Sequence, residues 1–180
     1  NGAVRITGAN LGSGTVRFSG GSLWATNIFA LGNAWVVDAD SRVRVDEVSV
    51  VTANGIVSGT TGTLVKEGAG MLVLGATNTF SGLTVVSNGQ IRITGINQGN
   101  VRVAAGASLG GSGILSGTAE LEAQSLLNLS NGVIETFTCN NTVTFNGASI
   151  YRLEAGASAD LLTLAGGSVA LQAAAPGRGV

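Results

Sequence analysis

Three carboxylates stand close together in the chain and are its candidates for acid–base chemistry. Asp38, Asp40 and Asp46 occupy even positions of one predicted strand, with Arg42 and Arg44 between them. Successive strand side chains point to opposite faces, so all five are predicted to share one face. Carboxylates two residues apart then lie about 7 Å apart, which suits a glycosidase pair. We favour the other interpretation, a solvated outer face on which Asp and Arg compensate each other, and assign no catalytic residue.

Two tryptophans, Trp24 and Trp35, are the candidates for ligand binding. They lie with Phe29 in the least repetitive part of the chain, residues 19–36. Aromatic rings can bind the apolar face of a sugar, but this role requires both indoles to be exposed. The apolar residues around them in the sequence favour packing in an irregular part of the core instead.

The other reactive residue types exclude several kinds of site. The chain has no His, which excludes His-based triads and His metal ligands. Cys139, the single cysteine, is predicted to be a buried and unreactive thiol. Lys66, the single lysine, is predicted to lie on the surface at a strand end, with nothing nearby to lower its pKa. Residues 110–116 begin like a Ca²⁺-binding nonapeptide, but Leu115 replaces the coordinating Asp, so no metal and no cofactor are predicted.

The composition is that of an ordered domain without a nucleic-acid partner. Nine Lys and Arg against ten Asp and Glu give a net charge of −1, and the basic residues form no stripe that would neutralise phosphates. Hydrophobic residues make up 44% of the chain and charged residues 11%, which excludes a disordered segment. The 180 residues amount to one domain. No run reaches the roughly 18 apolar residues of a membrane helix.

The apolar residues alternate with period two in many short runs, which predicts strands and almost no helix. Gly-Gly and Asn-Gly pairs separate the runs and supply the positive φ angles of tight corners. Aromatic residues are only 4% of the chain, fewer than antiparallel sandwiches normally use. A parallel β-helix, with small residues at its corners, is therefore the predicted all-β architecture. The irregular spacing of the corners leaves the coil boundaries open.

One stretch of the sequence resembles a known family. Residues 66–74 read Lys-Glu-Gly-Ala-Gly-Met-Leu-Val-Leu, and residues 78–82 read Asn-Thr-Phe-Ser-Gly. These motifs resemble the autotransporter-associated β-strand repeat, also called the passenger-associated transport repeat. The recognisable repeat spans about residues 59–94, and a looser similarity continues over most of the chain from about residue 32.

The resemblance implies a fold, a location and a role. The fold is a right-handed parallel β-helix, with residues 1–180 as a single segment of a longer chain. The protein is expected outside the bacterium or at its outer-membrane surface, as a passenger-like stalk or adhesin scaffold whose translocator β-barrel lies outside this sequence. Its expected partners are surface glycans, or proteins of a host or neighbouring cell. The alternative hypothesis is a polysaccharide-acting or carbohydrate-binding β-helix protein, and an enzyme is the less favoured form of it.

The same pattern predicts which side chains are buried. Leu72, Leu74, Ile91 and Ile93 should all lie in the core, stacked between coils about 4.8 Å apart. Arg92 points away from Ile91 and Ile93, and its replacement by Ala should therefore change the stability by no more than about 0.5 kcal/mol.

Overall fold

The computed structural model describes residues 2–9, 11–129, 132–153 and 159–172, in which 24 strands and no helix occur. The first twelve strands are β1 (Ala3–Ile6), β2 (Val16–Ser19), β3 (Ser22–Ala25), β4 (Ile28–Leu31), β5 (Trp35–Ala39), β6 (Ser41–Val45), β7 (Val50–Ala53), β8 (Val57–Ser58), β9 (Thr63–Glu67), β10 (Met71–Leu74), β11 (Thr77–Asn78) and β12 (Leu83–Val86). The others are β13 (Gln90–Ile93), β14 (Ile96–Asn97), β15 (Val101–Val103), β16 (Ser108–Gly110), β17 (Ile114–Leu115), β18 (Ala119–Leu121), β19 (Leu126–Asn128), β20 (Thr136–Cys139), β21 (Val143–Asn146), β22 (Ile150–Arg152), β23 (Leu161–Leu164) and β24 (Val169–Gln172). The predicted all-β class is confirmed.

The strands are stacked in parallel and form a solenoid with three faces. The first face is a nine-stranded sheet in the order β1-β3-β6-β9-β12-β15-β18-β21-β24, and the second is a seven-stranded sheet running from β22 to β4. The third face consists of a three-stranded sheet, β2-β5-β8, and a five-stranded sheet, β11-β14-β17-β20-β23. These two sheets continue one another, because the amides of Thr79 and Phe80 both donate to the carbonyl of Val57. The predicted parallel β-helix is therefore confirmed.

The core is a column of aliphatic side chains that each coil adds to the next. Leu72 of β10 lies in register with Ile91 of β13, and Leu74 with Ile93. All four are at most 2% exposed, which confirms their predicted burial. Because each coil contacts mainly the coils above and below it, the apolar area is buried between neighbours along one axis.

The corner between the first and the second face repeats one backbone feature. A residue with positive φ stands there in seven successive coils, namely Asn27, Val48, Gly68, Gly89, Gly106, Gln124 and Gly147. Gly adopts this conformation at low cost, whereas Val48 is β-branched and adopts it with strain. A Cβ atom on Gly89 would also lie 2.5 Å from the carbonyl oxygens of Gly68 and Gly70 in the coil below. Gly89 thus serves both backbone conformation and close stacking.

Coil length varies along the stack. Thr84 and Val101, which are partners in adjacent strands, are 17 residues apart, whereas Val143 and Val169 are 26 residues apart. The longer coils carry extra residues between the second and the third face, at 129–135 and 153–160. This variation is the reason why corner spacing in the sequence did not define the coils.

Candidate ligand-binding groove

The three candidate carboxylates do not share a face, so that part of the prediction is wrong. The predicted single strand is broken between Ala39 and Ser41, where the chain passes from the three-stranded sheet into the nine-stranded sheet. Asp38 lies before this corner and Asp40 lies in it. Asp46 follows β6 at the next corner. Period-two alternation of side chains does not reveal a corner that consists of a single residue.

Each of the three carboxylates has its own structural partner. Asp38 accepts a 2.7 Å hydrogen bond from Arg17 of the preceding coil. An oxygen of Asp40 accepts a 2.7 Å bond from the amide of Thr63 in the following coil. In the described part of the chain no group of three or more His, Cys, Asp or Glu residues is placed to hold a metal ion.

Asp46 belongs to a cluster with Trp24 on the outside of the nine-stranded sheet. It accepts hydrogen bonds from Arg44 Nε at 3.0 Å and from Trp24 Nε1 at 2.8 Å. The bond from Arg44, and then the bond from Trp24, lowers the pKa of Asp46 below its ordinary value. The guanidinium carbons of Arg5 and Arg44 lie 5.1 and 5.0 Å from the centre of the indole, one from each adjacent coil. Both sides of this ring are thereby flanked by cations rather than open to a sugar.

The two tryptophans have different environments. Trp35 is fully buried, and its ring centre lies 5.3 Å from that of Phe18, so its predicted core role is confirmed. Trp24 is only half-buried and lies on the outer surface, so the prediction of a core role is wrong for this residue. The two indoles are therefore not both exposed, as sugar binding by this pair would require. Phe29 is partly buried and packs against the core, as expected.

Lys66 is buried, and its predicted surface position is wrong. It is 0% exposed, because it occupies an inward-facing position of β9 between Leu64 and the corner. Its ammonium group donates to the carbonyls of Glu67, Gly68 and Asn88, at 3.0, 2.7 and 3.0 Å. Burial lowers the pKa of Lys66 to about 8. The residue joins the corners of two successive coils, because the carbonyl of Asn88 belongs to the next coil.

Arg92 is also buried, which contradicts the prediction that it lies on an exposed face. It points away from the core, as expected, but it forms an ion pair with Glu135 and is 7% exposed. Glu135 lies in the long connection before β20, and its own amide donates to Asp160 at 2.8 Å. Glu135, which is held by Asp160 of the next coil, thus covers this part of the seven-stranded sheet. A residue 43 positions away in the chain covers Arg92, and period-two alternation contains no information about it.

Cys139 agrees with its prediction. The thiol is buried in the core at the end of β20, and burial raises its pKa to about 12. It is therefore an apolar packing residue at neutral pH.

A shallow groove on the outside of the nine-stranded sheet gathers polar and charged side chains. Ser22, Arg42, Val65, Val85 and Arg102 are register partners on five successive strands. With Asp40 they line a depression of about 590 Å³, which we call the arginine groove. This volume is within the range of roughly 300–1,000 Å³ of small-molecule sites. The groove retains only Asp40 of the three candidate carboxylates, and the sequence prediction did not include Arg102.

The sequence predicts that these residues share a groove only if the length of each coil is already known. Arg42 and Arg102 are 60 residues apart in the chain but lie on one face only three strand spacings apart, or roughly 14 Å. Counting this register requires knowing that β9, β12 and β15 are the first-face strands of successive coils. Without the corners, no residue in the sequence indicates this juxtaposition.

A cavity of about 920 Å³ is lined mostly by apolar side chains such as Phe145, Leu162 and Leu171. It lies among β21 to β24, where β22, β23 and β24 are the last strands of their sheets in the described chain. The cavity therefore lies at the end of the core, beside the last described coil, and is not a recess in the outer surface.

The described residues include no helix long and apolar enough to span a membrane.

Comparison with known proteins identifies one region. The family model of the passenger-associated-transport-repeat matches residues 64–93, which lie within the stretch predicted from the sequence motifs. Neither the curated proteins nor the solved structures contain a significant match to the chain.

Proposed function

We propose that this chain, which carries a passenger-associated-transport-repeat at residues 64–93 in a parallel β-solenoid, is part of a secreted, surface-displayed passenger. Its role in this proposal is that of a stalk or adhesin scaffold at the outer-membrane surface. The observation that carries the proposal is the place of the repeat. Residues 64–93 run from β9 to β13. Four of these five strands pair with a strand of the coil before and a strand of the coil after. The fifth, β11, pairs with β14 and continues the third face from β8.

The solenoid suits a spacer for a mechanical reason. Nine strands of the first face, at about 4.8 Å per strand, give a rod roughly 38 Å long. Its cross-section is filled by aliphatic side chains, and length is added coil by coil without changing the contacts of the coils already present. Such a body can hold a binding surface at a distance from a membrane.

The alternative, a polysaccharide-acting protein, has weaker support. Acid–base catalysis on glycosides needs two carboxylates facing one bond, at about 5–10 Å. Asp38, Asp40 and Asp46 are instead held by Arg17, Thr63 and Arg44 at three separate places. Of the alternative hypothesis, the carbohydrate-binding form has the better support, because the arginine groove is an open polar depression.

The location is tested in cells that express the full-length protein. Antibodies raised against residues 1–180 should label intact cells, and a protease added outside should remove this signal. A cytoplasmic enzyme serves as the control for intact cells and should survive the treatment. Recovery of the chain in the cytoplasmic fraction, protected from the external protease, would contradict the proposal.

A further inference from the structure

We propose that one part of the third face is a self-association surface, on which a second copy of this chain packs antiparallel to the first. This surface, which we call the uncharged face, is the outer side of β11, β14, β17, β20 and β23. The five strands are stacked about 4.8 Å apart, so the surface is roughly 19 Å long along the solenoid axis. Its charge, its register and its area each favour this partner.

The uncharged face differs from the rest of the outer surface in its charge. No Asp, Glu, Lys or Arg occurs in its five segments, which are residues 75–82, 94–100, 112–118, 136–142 and 161–168. The carboxylates that precede two of these segments, Glu135 and Asp160, are buried. The other two faces carry exposed charged residues in the same coils, such as Arg102 on the first and Arg152 on the second. Because the centres of interfaces between protein copies are poor in charged residues, the uncharged face suits such an interface.

The register of the uncharged face makes it complementary to itself. Its central row consists of Thr77, Ile96, Ile114 and Thr138, which are partners on four successive strands. This order of residue types is the same in both directions along the axis. A two-fold axis parallel to the strands, between β14 and β17, therefore places Ile96 opposite Ile114 of the second copy. The same axis places Thr77 opposite Thr138, and each of these contacts occurs twice.

The side chains of the central row point outward and can pair with one another. The residues that follow the members of the row in the chain are all buried, namely Asn78, Asn97, Leu115 and Cys139. Since successive strand side chains alternate, the members of the row lie on the outer side. Thr77 is exposed, and the other three members are partly exposed. Threonine hydroxyls both donate and accept hydrogen bonds, and the central isoleucines bury apolar area.

The area of the uncharged face predicts weak association. A width of roughly 20 Å, which is about six residues of extended chain, gives about 400 Å² for each copy. A stable interface buries about 800 Å² for each partner. We therefore expect a dissociation constant on the order of 0.1–1 mM. On a surface that displays many copies, which rests on the function proposed above, such weak contacts are strengthened by multivalency.

Self-association is measured by sedimentation equilibrium of purified residues 1–180, from about 0.01 to 1 mM. The wild type should change from monomer to dimer over this range. Ile96→Glu and Ile114→Lys each bury an unpaired charge beside the two-fold axis, and each should weaken association about tenfold or more. An equimolar mixture of the two variants should associate again, because the new carboxylate and the new ammonium group then face each other across the axis.

Ile28→Glu is the matched control, because Ile28 is exposed on the second face, away from the proposed interface. It should dimerise like the wild type, and circular dichroism should show that all variants keep the fold. A wild type that remains monomeric at about 1 mM would overturn the proposal. So would a mixture that associates no better than either single variant.

Association that Ile96→Glu and Ile114→Lys leave unchanged would also overturn the proposal, since the copies would then meet elsewhere, such as at the open ends of the core. Dimerisation is measured on the purified chain and export is measured in cells, so failure of one proposal is distinguishable from failure of the other.

Discussion

At the residue scale, two long basic side chains differ most from what their sequence neighbours suggest. Lys66 and Arg92 each stand in an alternating strand, one facing inward and one facing outward, and both are buried. A charged group is buried only with partners. Three carbonyls surround Lys66, and Glu135 pairs with Arg92.

The buried ammonium of Lys66 predicts a pH dependence of stability. Burial lowers its pKa to about 8, below the ordinary value of 10.5 that applies to the unfolded chain. Between these two values the unfolded chain binds more protons than the folded chain, so the free energy of unfolding should rise with pH from about 8 to 10.5. Urea unfolding across this range measures the slope, and Lys66→Met should lack it. A slope of the opposite sign would mean that the three carbonyl contacts outweigh desolvation.

Breaking the ion pair of Arg92 should be costly. Removing one partner of a buried pair leaves the other charge uncompensated, so Arg92→Ala should lower the free energy of unfolding by about 3–5 kcal/mol. Arg17→Ala breaks an ion pair of similar type whose arginine is 64% exposed, and should cost no more than about 1 kcal/mol. Chemical denaturation of both variants measures the difference. Equal losses would show that the connection before β20 does not shield Arg92 from water.

At the element scale, the corners determine how the strands stack. The corner between the first and second faces has a positive φ in each of seven coils, and glycine occupies four of these positions. The sequence alone does not reveal every one of these corners, because Val48 and Gln124 adopt the same positive φ although Val and Gln are not typical turn residues. Corner glycines differ in a second respect, which is the distance to the coil below.

Two glycines of this corner separate the two effects. Gly89 has φ 68° and Gly106 has φ 76°, but only Gly89 has backbone atoms of another coil in the space of a Cβ. Gly106→Ala should cost about 1–2 kcal/mol, from its left-handed conformation alone. Gly89→Ala should cost about 1–3 kcal/mol more, because the neighbouring carbonyls 2.5 Å away must move. Thermal and urea unfolding compare the two, and a Gly106→Ala loss as large as that of Gly89→Ala would contradict the stacking role.

At the scale of the whole molecule, stability is shared between neighbouring coils. Every strand that is not at the end of its sheet pairs with one strand of the preceding coil and one strand of the following coil. A defect in one coil should therefore spread to the adjoining coils and fade with distance along the axis.

Leu74→Ala tests this sharing. The side chain is 2% exposed in β10, and its loss should cost about 2–5 kcal/mol. Val73→Ala, on the outer side of the same strand, should cost less than about 1 kcal/mol. Hydrogen exchange should speed up in β7 and β13, which flank β10, and stay unchanged in β1. Faster exchange throughout the chain would mean that the solenoid opens as one cooperative unit instead.

The sequence by itself determined the local properties of this protein. Alternation gave the inward side chains of β10 and β13, the paucity of aromatic residues favoured the solenoid, and the motifs of residues 66–82 indicated the repeat. These properties depend on residues within one strand or one coil, where the spacing of side chains is fixed by backbone geometry.

The tertiary structure alone decided which distant residues meet. It separated Asp38 from Asp46 by a one-residue corner, covered Arg92 with Glu135, and brought Arg42 and Arg102 into one groove. The physical reason is the variable length of the coils. An extra residue in a corner or connection changes the sequence separation between residues that become neighbours in successive coils, and local alternation contains no record of that length.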